Sequence, residues 1–148
     1  MVKRLALCVA AALIVAGCAT MGKGPTDEEL INSTLQKVKT ALESQNLDML
    51  MATFAEDFSH DQVPDKATAR EMLDMGISMG YADDGECHLD RVSISMDPDG
   101  ETASAYPVDL SGPAGSISVE LVLGKREIEV DGKKQKAWLV TTINPDGV

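Results

Sequence analysis

Apolar residues recur with a helical period in the first part of the chain, starting just after Thr26. The stretch Thr26-Asp27-Glu28-Glu29 has the form of a capping box, in which a hydroxyl and a Glu three residues later satisfy each other's backbone N–H groups. Its acidic residues also suit the positive end of a helix dipole. This pattern predicts an amphipathic helix over residues 26–44. Its apolar face carries Ile31, Leu35, Val38 and Leu42.

Two further helical segments follow before the pattern changes. The first is short and is expected to end at Glu56-Asp57. Its apolar face carries Leu47, Leu50, Met51 and Phe54. The second is capped by Asp65 or Thr68, and the segment 81–86 (YADDGE) breaks it. Its inward-facing positions are predicted to be Ala69, Met72, Leu73, Gly76, Ile77 and Met79.

From Cys87 onward the apolar period shortens from 3.6 to 2, which is typical of half-buried strands. Turn sequences at 97–100 (DPDG), 111–115 (SGPAG) and 131–132 (DG) separate the runs. Pro107 indicates an edge position or a bulge, because it cannot donate to a ladder. The alternating positions are Val92, Ile94 and Met96; Tyr106, Val108 and Leu110; Ile117, Val119, Leu121 and Leu123, continued past a bend at Gly124 by Ile128 and Val130; and Ala137 to Ile143.

Three helices followed by four or five antiparallel strands predict an α+β domain whose helices cover one face of the sheet. A chain of 148 residues, 44% of them apolar, fits one domain with a real core. Only 3% of the residues are aromatic, so aliphatic side chains and methionines are expected to fill that core. The net charge of −11 argues against a nucleic-acid partner, because phosphates would repel the chain.

The first 17 residues have the pattern of an export signal. Lys3 and Arg4 precede an uncharged apolar run, Leu5 to Val15, which is about half the roughly 20 residues that a spanning helix needs. The sequence Val15-Ala16-Gly17-Cys18 resembles the lipobox of bacterial lipoproteins, in which small residues precede the Cys that becomes the acylated N-terminus. The alternative is an ordinary secretory signal with a chance Cys.

The resemblance implies three segments: a lipoprotein signal peptide at 1–17, a lipidated tether at 18–25 and a single domain at 26–148. Removing the signal leaves 131 residues and takes away two cations and no acids, so the net charge becomes −13. Acylation of Cys18 predicts a membrane anchor in the bacterial cell envelope. Because Ala19 follows the Cys, the retention rule of enteric bacteria implies the outer membrane, with the domain facing the periplasm.

Cysteine usage follows from this prediction. Cys8 leaves with the signal and Cys18 is acylated, so Cys87 is the one thiol left and cannot form an internal disulfide. We expect Cys87 to be a half-buried, inert thiol at the start of a strand. Intermolecular pairing and metal binding are the alternatives.

The domain resembles the nuclear-transport-factor-like superfamily, which includes SnoaL-like and ketosteroid-isomerase-like domains. The residues that carry the likeness are the helix at 26–44, the segment 45–58 (QNLDMLMATFAEDF) with its Phe-x-x-Asp-Phe ending, and a hairpin strand containing Trp138. The resemblance implies a cystatin-like cone, in which N-terminal helices pack on a curved antiparallel sheet around a pocket. Family members use the pocket for varied purposes and often dimerise through the outer face of the sheet, so the fold does not settle the function.

No catalytic residue is predicted. An isomerase of this fold needs a carboxylate base and an oxyanion site, often including a Tyr, and the first helix has no Tyr. Four groups could approach the mouth of the cone, but each has a structural or solvent-exposed role as the simpler interpretation: Asp57, His60, Asp61 and Asp109.

Two further clusters have competing interpretations. Met72, Met75 and Met79, with Cys87 and His88 beyond them, offer soft ligands for Cu(I), but core packing is the favoured interpretation, so no metal or cofactor is predicted. A basic run is interpreted as a solvated hairpin tip, with docking to an acidic partner or lipid headgroups as the alternative: Lys125, Arg126, Lys133, Lys134 and Lys136.

The sequence thus predicts a lipid-anchored accessory protein that binds a small apolar ligand inside the cone, between the third helix and the sheet. The alternative is an interaction module without a ligand, forming a homodimer through the sheet and showing a large apolar patch there. An enzyme or a Cu(I)-binding protein is the less favoured hypothesis. The candidate ligand-lining residues are Leu35, Met72, Met75, Val119, Leu121 and Trp138.

Overall fold

The first helix, α1 (Asp27–Glu43), begins at the predicted capping box. In the computed structural model, which describes residues 24–145, Glu29 N–H donates to Thr26 Oγ1 (3.2 Å) and Thr26 N–H donates to Glu29 Oε2 (2.7 Å). The predicted signal peptide and the lipidation site Cys18 lie outside the described residues. Among the described residues, no helix is both long and apolar enough to cross a membrane.

The next two helices are α2 (Leu47–Met51) and α3 (Lys66–Ser78), the latter capped by Asp65, whose side chain accepts from Thr68 N–H at 2.7 Å. The helix α2 ends earlier than predicted. Beyond it the backbone turns to bond to the last strand, with Ala55 N–H donating to the carbonyl of Val140 (2.9 Å) and Val140 N–H donating to that of Thr53 (2.8 Å). These long-range bonds replace a further helical turn.

Five antiparallel strands form one sheet in the order β1-β3-β4-β5, with β2 pairing with β3 as well. The bounds are β1 (Glu86–His88), β2 (Ser93–Met96), β3 (Thr102–Gly112), β4 (Gly115–Val130) and β5 (Lys133–Pro145). As predicted, β4 continues past Gly124. The strand β5 begins at Lys133, earlier than the predicted Ala137, because the turn at Asp131-Gly132 lets both strands pair up to its edge.

The predicted irregularity at Pro107 is confirmed as a bulge. The pairing of β3 with β4 shifts register between Ala105 and Val108. On the opposite edge of β3, β2 pairs only as far as Tyr106 and β1 pairs from Asp109 onward. The missing N–H of Pro107 therefore falls in the gap between two short strands.

The helices pack on the concave face of this curled sheet, as the α+β prediction expected. Trp138 lies at the centre of the core with no exposed surface, and Thr34 Oγ1 of α1 donates to its carbonyl at 2.6 Å. The concave face carries, from β3, β4 and β5, Ala103, Ala105, Val108, Val119, Leu121, Leu123, Trp138 and Val140. The helix α1 contributes Ile31, Leu35 and Val38 to the same core, which fills the middle of the cone.

The prediction that α3 buries its methionines is wrong. Met72, Met75 and Met79 are 53%, 58% and 60% exposed, and Ala69 is the position of this helix that is fully buried. The helix α3 packs mainly on α2 at the rim of the cone, and the side chains from α1 and the sheet already occupy the interior. Cys87 also differs from its prediction, because it is completely buried in β1 and not half-buried.

Candidate functional site

An apolar cavity of about 250 Å³, open to solvent, lies between α3, the segment after α2 and the end of β5, and we call it the α3 cavity. The rings of Phe54 and Phe58 pack together there, with their centroids 4.8 Å apart. Lys66 Nζ, at the start of α3, donates to the carbonyl of Phe54 at 3.0 Å and ties two walls of the cavity together. The lining residues are Phe54, Phe58, His60, Gln62, Val63, Ala69, Met72, Leu73, Ile143 and Pro145.

His60 gives this cavity a polar group on a fixed loop. Its backbone exchanges two hydrogen bonds of 2.9 Å with Val63, and its ring Nδ1 accepts from the backbone N–H of Gln62 at 3.2 Å. Because Nδ1 accepts, the neutral ring carries its proton on Nε2. The cavity therefore combines apolar walls with one positioned imidazole.

The structure separates the six residues predicted to line a ligand pocket. Leu35, Val119, Leu121 and Trp138 are packed in the core and line no part of the cavity. Met75 faces solvent. Met72 alone of the six lines the α3 cavity. The pocket was predicted between α3 and the middle of the sheet. The cavity in the structure lies at the rim of the cone.

Most residues of the cavity wall were not predicted from the sequence. Periodicity identifies which face of a helix or strand is buried, but it does not show where two elements leave a gap between them. One signal was available. Phe54 and Phe58 belong to the Phe-x-x-Asp-Phe segment that carries the family likeness, and they are two of the five aromatic residues of the chain.

A smaller cleft of about 180 Å³ lies on the other side of α3, toward α1 and α2. Met72 and Leu73 line both spaces, so they form the partition between them. The remaining wall of this cleft is also mainly apolar, from Ala41, Leu42, Leu47, Leu50, Gly76, Ile77, Tyr81 and Ala82, with Gln45 and Asn46.

The outer face of the sheet forms two open depressions, of about 600 and 470 Å³, each lined by charged and hydroxyl-bearing side chains as well as apolar ones. In the first, Asp109 accepts from Ser118 Oγ (2.5 Å) and Arg91 Nη2 (2.6 Å), and these bonds lower the pKa of its carboxyl group. In the second, Glu120 accepts from the hydroxyl of Ser104 and from Asn144 Nδ2 (2.8 Å), and these bonds lower the pKa of its carboxyl group. Exposed Tyr106 and Ile117 also line these depressions, and the interaction-module alternative stays a prediction.

Two of the acids considered as catalytic candidates, Asp57 and Asp109, accept hydrogen bonds from neighbouring donors that lower the pKa of each carboxyl group. Asp57 binds Arg126 of β4 through two hydrogen bonds of 2.8 and 3.1 Å, and the Arg126 guanidinium lowers its pKa. Asp57 thus has the structural role expected of it, joining the segment after α2 to the sheet. Within residues 24–145, every carboxyl pKa that clearly departs from its ordinary value is lowered, whereas a proton-donating acid needs a raised one.

The basic run divides between structural pairs and the hairpin tip. Lys125 Nζ binds Asp27 at 3.0 Å and lies 5.3 Å from the centre of the Trp138 ring. Lys134 is exposed near the tip and pairs with Glu127 across the hairpin at 2.8 Å. Among the described residues, no group of three His, Cys, Asp or Glu side chains is placed to hold a metal ion.

The comparisons with known proteins bear on the fold. No protein-family model matches the sequence, and no curated protein matches it significantly. A protein of unknown function with a cystatin-like fold from Nostoc punctiforme superposes with a TM-score of 0.57 at 15% identity, over 84% of this chain and 96% of its own. An NTF2-like protein of unknown function from Shewanella oneidensis gives 0.56 at 11% identity, over 81% and 98%.

A de novo designed protein with a curved β-sheet also superposes, with a TM-score of 0.52 at 11% identity, over 79% of this chain and 99% of the design. Identities this low establish the architecture alone, and a design can share it with natural proteins. The chain therefore has the NTF2-like, cystatin-like α+β fold, in which helices pack on a curled antiparallel sheet.

Proposed function

We propose that this protein is a lipid-anchored accessory protein of the bacterial cell envelope that binds a small, largely apolar molecule in the α3 cavity. The observation that carries the ligand part is the lining of that cavity. Apolar side chains, two of them aromatic, surround about 250 Å³ beside one positioned imidazole, His60. Binding sites for small molecules combine apolar walls with a few placed polar groups in this way.

The size of the cavity limits the ligand. At about 250 Å³ it lies below the range of about 300–1,000 Å³ usual for drug-sized ligands, so a monocyclic or short aliphatic molecule fits better than a polycyclic one. The Nε2–H of His60 is suited to hydrogen-bond an acceptor on such a molecule. Met72 is flexible and polarizable, and its movement would let the wall adapt to the ligand.

The anchor part of the proposal rests on the leader and the lipobox-like sequence that ends in Cys18. A native mass spectrum of the detergent-extracted protein tests both parts together. We expect the mass of residues 18–148 plus acyl groups, and a co-purified small molecule that is released on activation. An unacylated mass contradicts the anchor and leaves the ligand proposal to be judged by binding.

Binding is tested by isothermal titration calorimetry with a monocyclic apolar probe, p-cresol. Ile143 lines the cavity, so Ile143→Trp fills it and is expected to abolish binding of the probe. The matched control is Ile117→Trp on β4, where the isoleucine is 46% exposed and lines no part of the cavity; it should bind as the native protein does. Equal binding by both variants, or none by the native protein, contradicts the proposed function.

A further inference from the structure

The helix α3 and its C-cap residue Met79 present three thioether side chains to solvent. Met72, Met75 and Met79 are each more than half exposed, whereas the apolar contacts of this helix come from Ala69 and the half-buried Leu73. Exposure of three large apolar side chains on one short helix is not explained by core packing. We therefore consider what their thioether sulfurs could bind.

The spacing brings the three sulfurs to one side of the helix. Met75 follows Met72 by three residues and precedes Met79 by four, so all three lie within a sector of about 60°. Side chains three or four residues apart on a helix have Cβ atoms about 5–6 Å apart. Met75 is thus one turn from each neighbour, and the unbranched methionine side chain can turn its sulfur toward a shared point.

The charges around these methionines favour a cation. The two basic residues of α3, Lys66 and Arg70, are each paired at 2.5 Å with a carboxylate outside the helix. Exposed Glu71 and Asp74 lie beside the methionines on the same helix. A local excess of acidic groups raises the concentration of cations near a surface.

We propose that Met75, together with Met72 or Met79, binds a soft monovalent cation, Cu(I). Thioethers are soft, uncharged ligands that select Cu(I) over Zn(II), Mg(II) or Ca(II), which prefer imidazole, thiolate or oxygen ligands. The ion binds and leaves as Cu(I), so no bond is broken and no electron is transferred. This site shares at most Met72 with the proposed ligand cavity, because Met75 and Met79 do not line that cavity.

Methionine-methyl NMR on the full chain in detergent tests the proposal, with ¹³C-methyl-methionine labelling. Cu(I) is added anaerobically with ascorbate, and Ag(I) serves as its air-stable counterpart. The methyl signals of Met72, Met75 and Met79 should shift and saturate at one equivalent, and Zn(II) should shift none of them. Met49 and Met96 provide internal controls, because they are 39% and 42% exposed and lie elsewhere, and their signals should stay in place.

Variants identify the central ligand. Met75→Leu should weaken Cu(I) binding at least about tenfold, since even second-shell changes at metal sites cost that much. Leucine keeps the helix propensity and the approximate volume, so this exposed substitution leaves the fold intact. Met49→Leu is the matched control and should bind as the native protein does.

Three outcomes overturn the proposal. They are equal shifts of all exposed methionines, which indicate unspecific contact, unchanged affinity in Met75→Leu, and the absence of any shift at excess ion. If the ion shifts no methyl signal but lipid vesicles or another protein do, the exposed methionines form a docking surface. The cavity proposal is judged separately, by the calorimetric titration with p-cresol.

Discussion

Asp27 joins the start of α1 to the hairpin that carries Trp138. Its Oδ1 accepts from the indole Nε1–H at 3.0 Å and its Oδ2 accepts from Lys125 Nζ at 3.0 Å. The indole hydrogen bond and then the lysine lower the pKa of Asp27 below its ordinary value of 3.8. The Asp27 carboxylate therefore provides the hydrogen-bond acceptor for the indole N–H of Trp138, the largest fully buried side chain.

Asp27→Ala leaves the indole N–H of Trp138 without its partner, and we expect a loss of about 1–2 kcal/mol in the free energy of unfolding. Asp27→Asn retains an acceptor and loses only a partly exposed ion pair, so it should cost less than about 1 kcal/mol. Urea unfolding followed by the fluorescence of Trp138, the chain's one tryptophan, measures both. The control Asp48→Ala removes an exposed acid paired with Arg70; an equal loss there contradicts the role of Asp27.

The same contact predicts a pH dependence with a defined sign. Because the pKa of Asp27 is lower in the folded state, its contribution is complete above the ordinary value of 3.8 and is lost as the pH falls through the lower folded value. The stability gap between the native protein and Asp27→Ala should therefore be constant above that range and shrink in acid. A gap that widens on acidification contradicts the assignment.

Cys87 provides a third prediction at the scale of the residue. Burial raises the pKa of its thiol to about 11, so the reactive thiolate is scarce at neutral pH. The mature protein should react with Ellman's reagent only after urea unfolds it, with Cys87→Ala as the blank. Rapid labelling of the folded protein contradicts this. The prediction of an inert thiol from sequence used only its position at a strand start, which could not reveal that α1 covers it.

At the scale of the elements, the sequence predicted what local chemistry determines. The capping box at Thr26, the cap at Asp65 and the bulge at Pro107 depend on residues within one turn of each other, and all three are confirmed. The end of α2 depends on hydrogen bonds to β5. The exposed face of α3 depends on the core being filled by side chains from α1 and the sheet. Those are long-range properties, and helical periodicity alone misjudged both.

The β4–β5 hairpin allows a test of one such local signal. Asp131 and Gly132 both have positive φ, 52° and 74°, a conformation that glycine adopts without strain. Gly132→Ala should lower the free energy of unfolding by about 1 kcal/mol. Gly24→Ala, outside every element and with no atom within 4 Å of the added methyl, should leave it unchanged. Equal effects in urea unfolding contradict a role for the turn conformation.

At the scale of the whole molecule, the net charge of the chain bears on how it could attach to a membrane. The proposed mature chain carries −13, so anionic headgroups repel the folded part. Lys125 and Arg126 do not provide an alternative contact, because they are paired with Asp27 and Asp57. Attachment through acyl chains is hydrophobic and insensitive to salt, whereas attachment through the remaining lysines near the hairpin tip would weaken as salt screens it.

The two cysteines of the leader region separate these possibilities. Cys18→Ser should move the protein from the detergent phase to the aqueous phase, because it removes the acceptor of the lipid. Cys8→Ser, a matched change within the proposed signal peptide, should partition as the native protein does. Washing membranes with about 1 M salt should release neither the native protein nor Cys8→Ser, since the Debye length of about 3 Å under those conditions screens ionic contacts and leaves acyl insertion intact. Release by salt, or equal behaviour of the two variants, contradicts the lipid anchor.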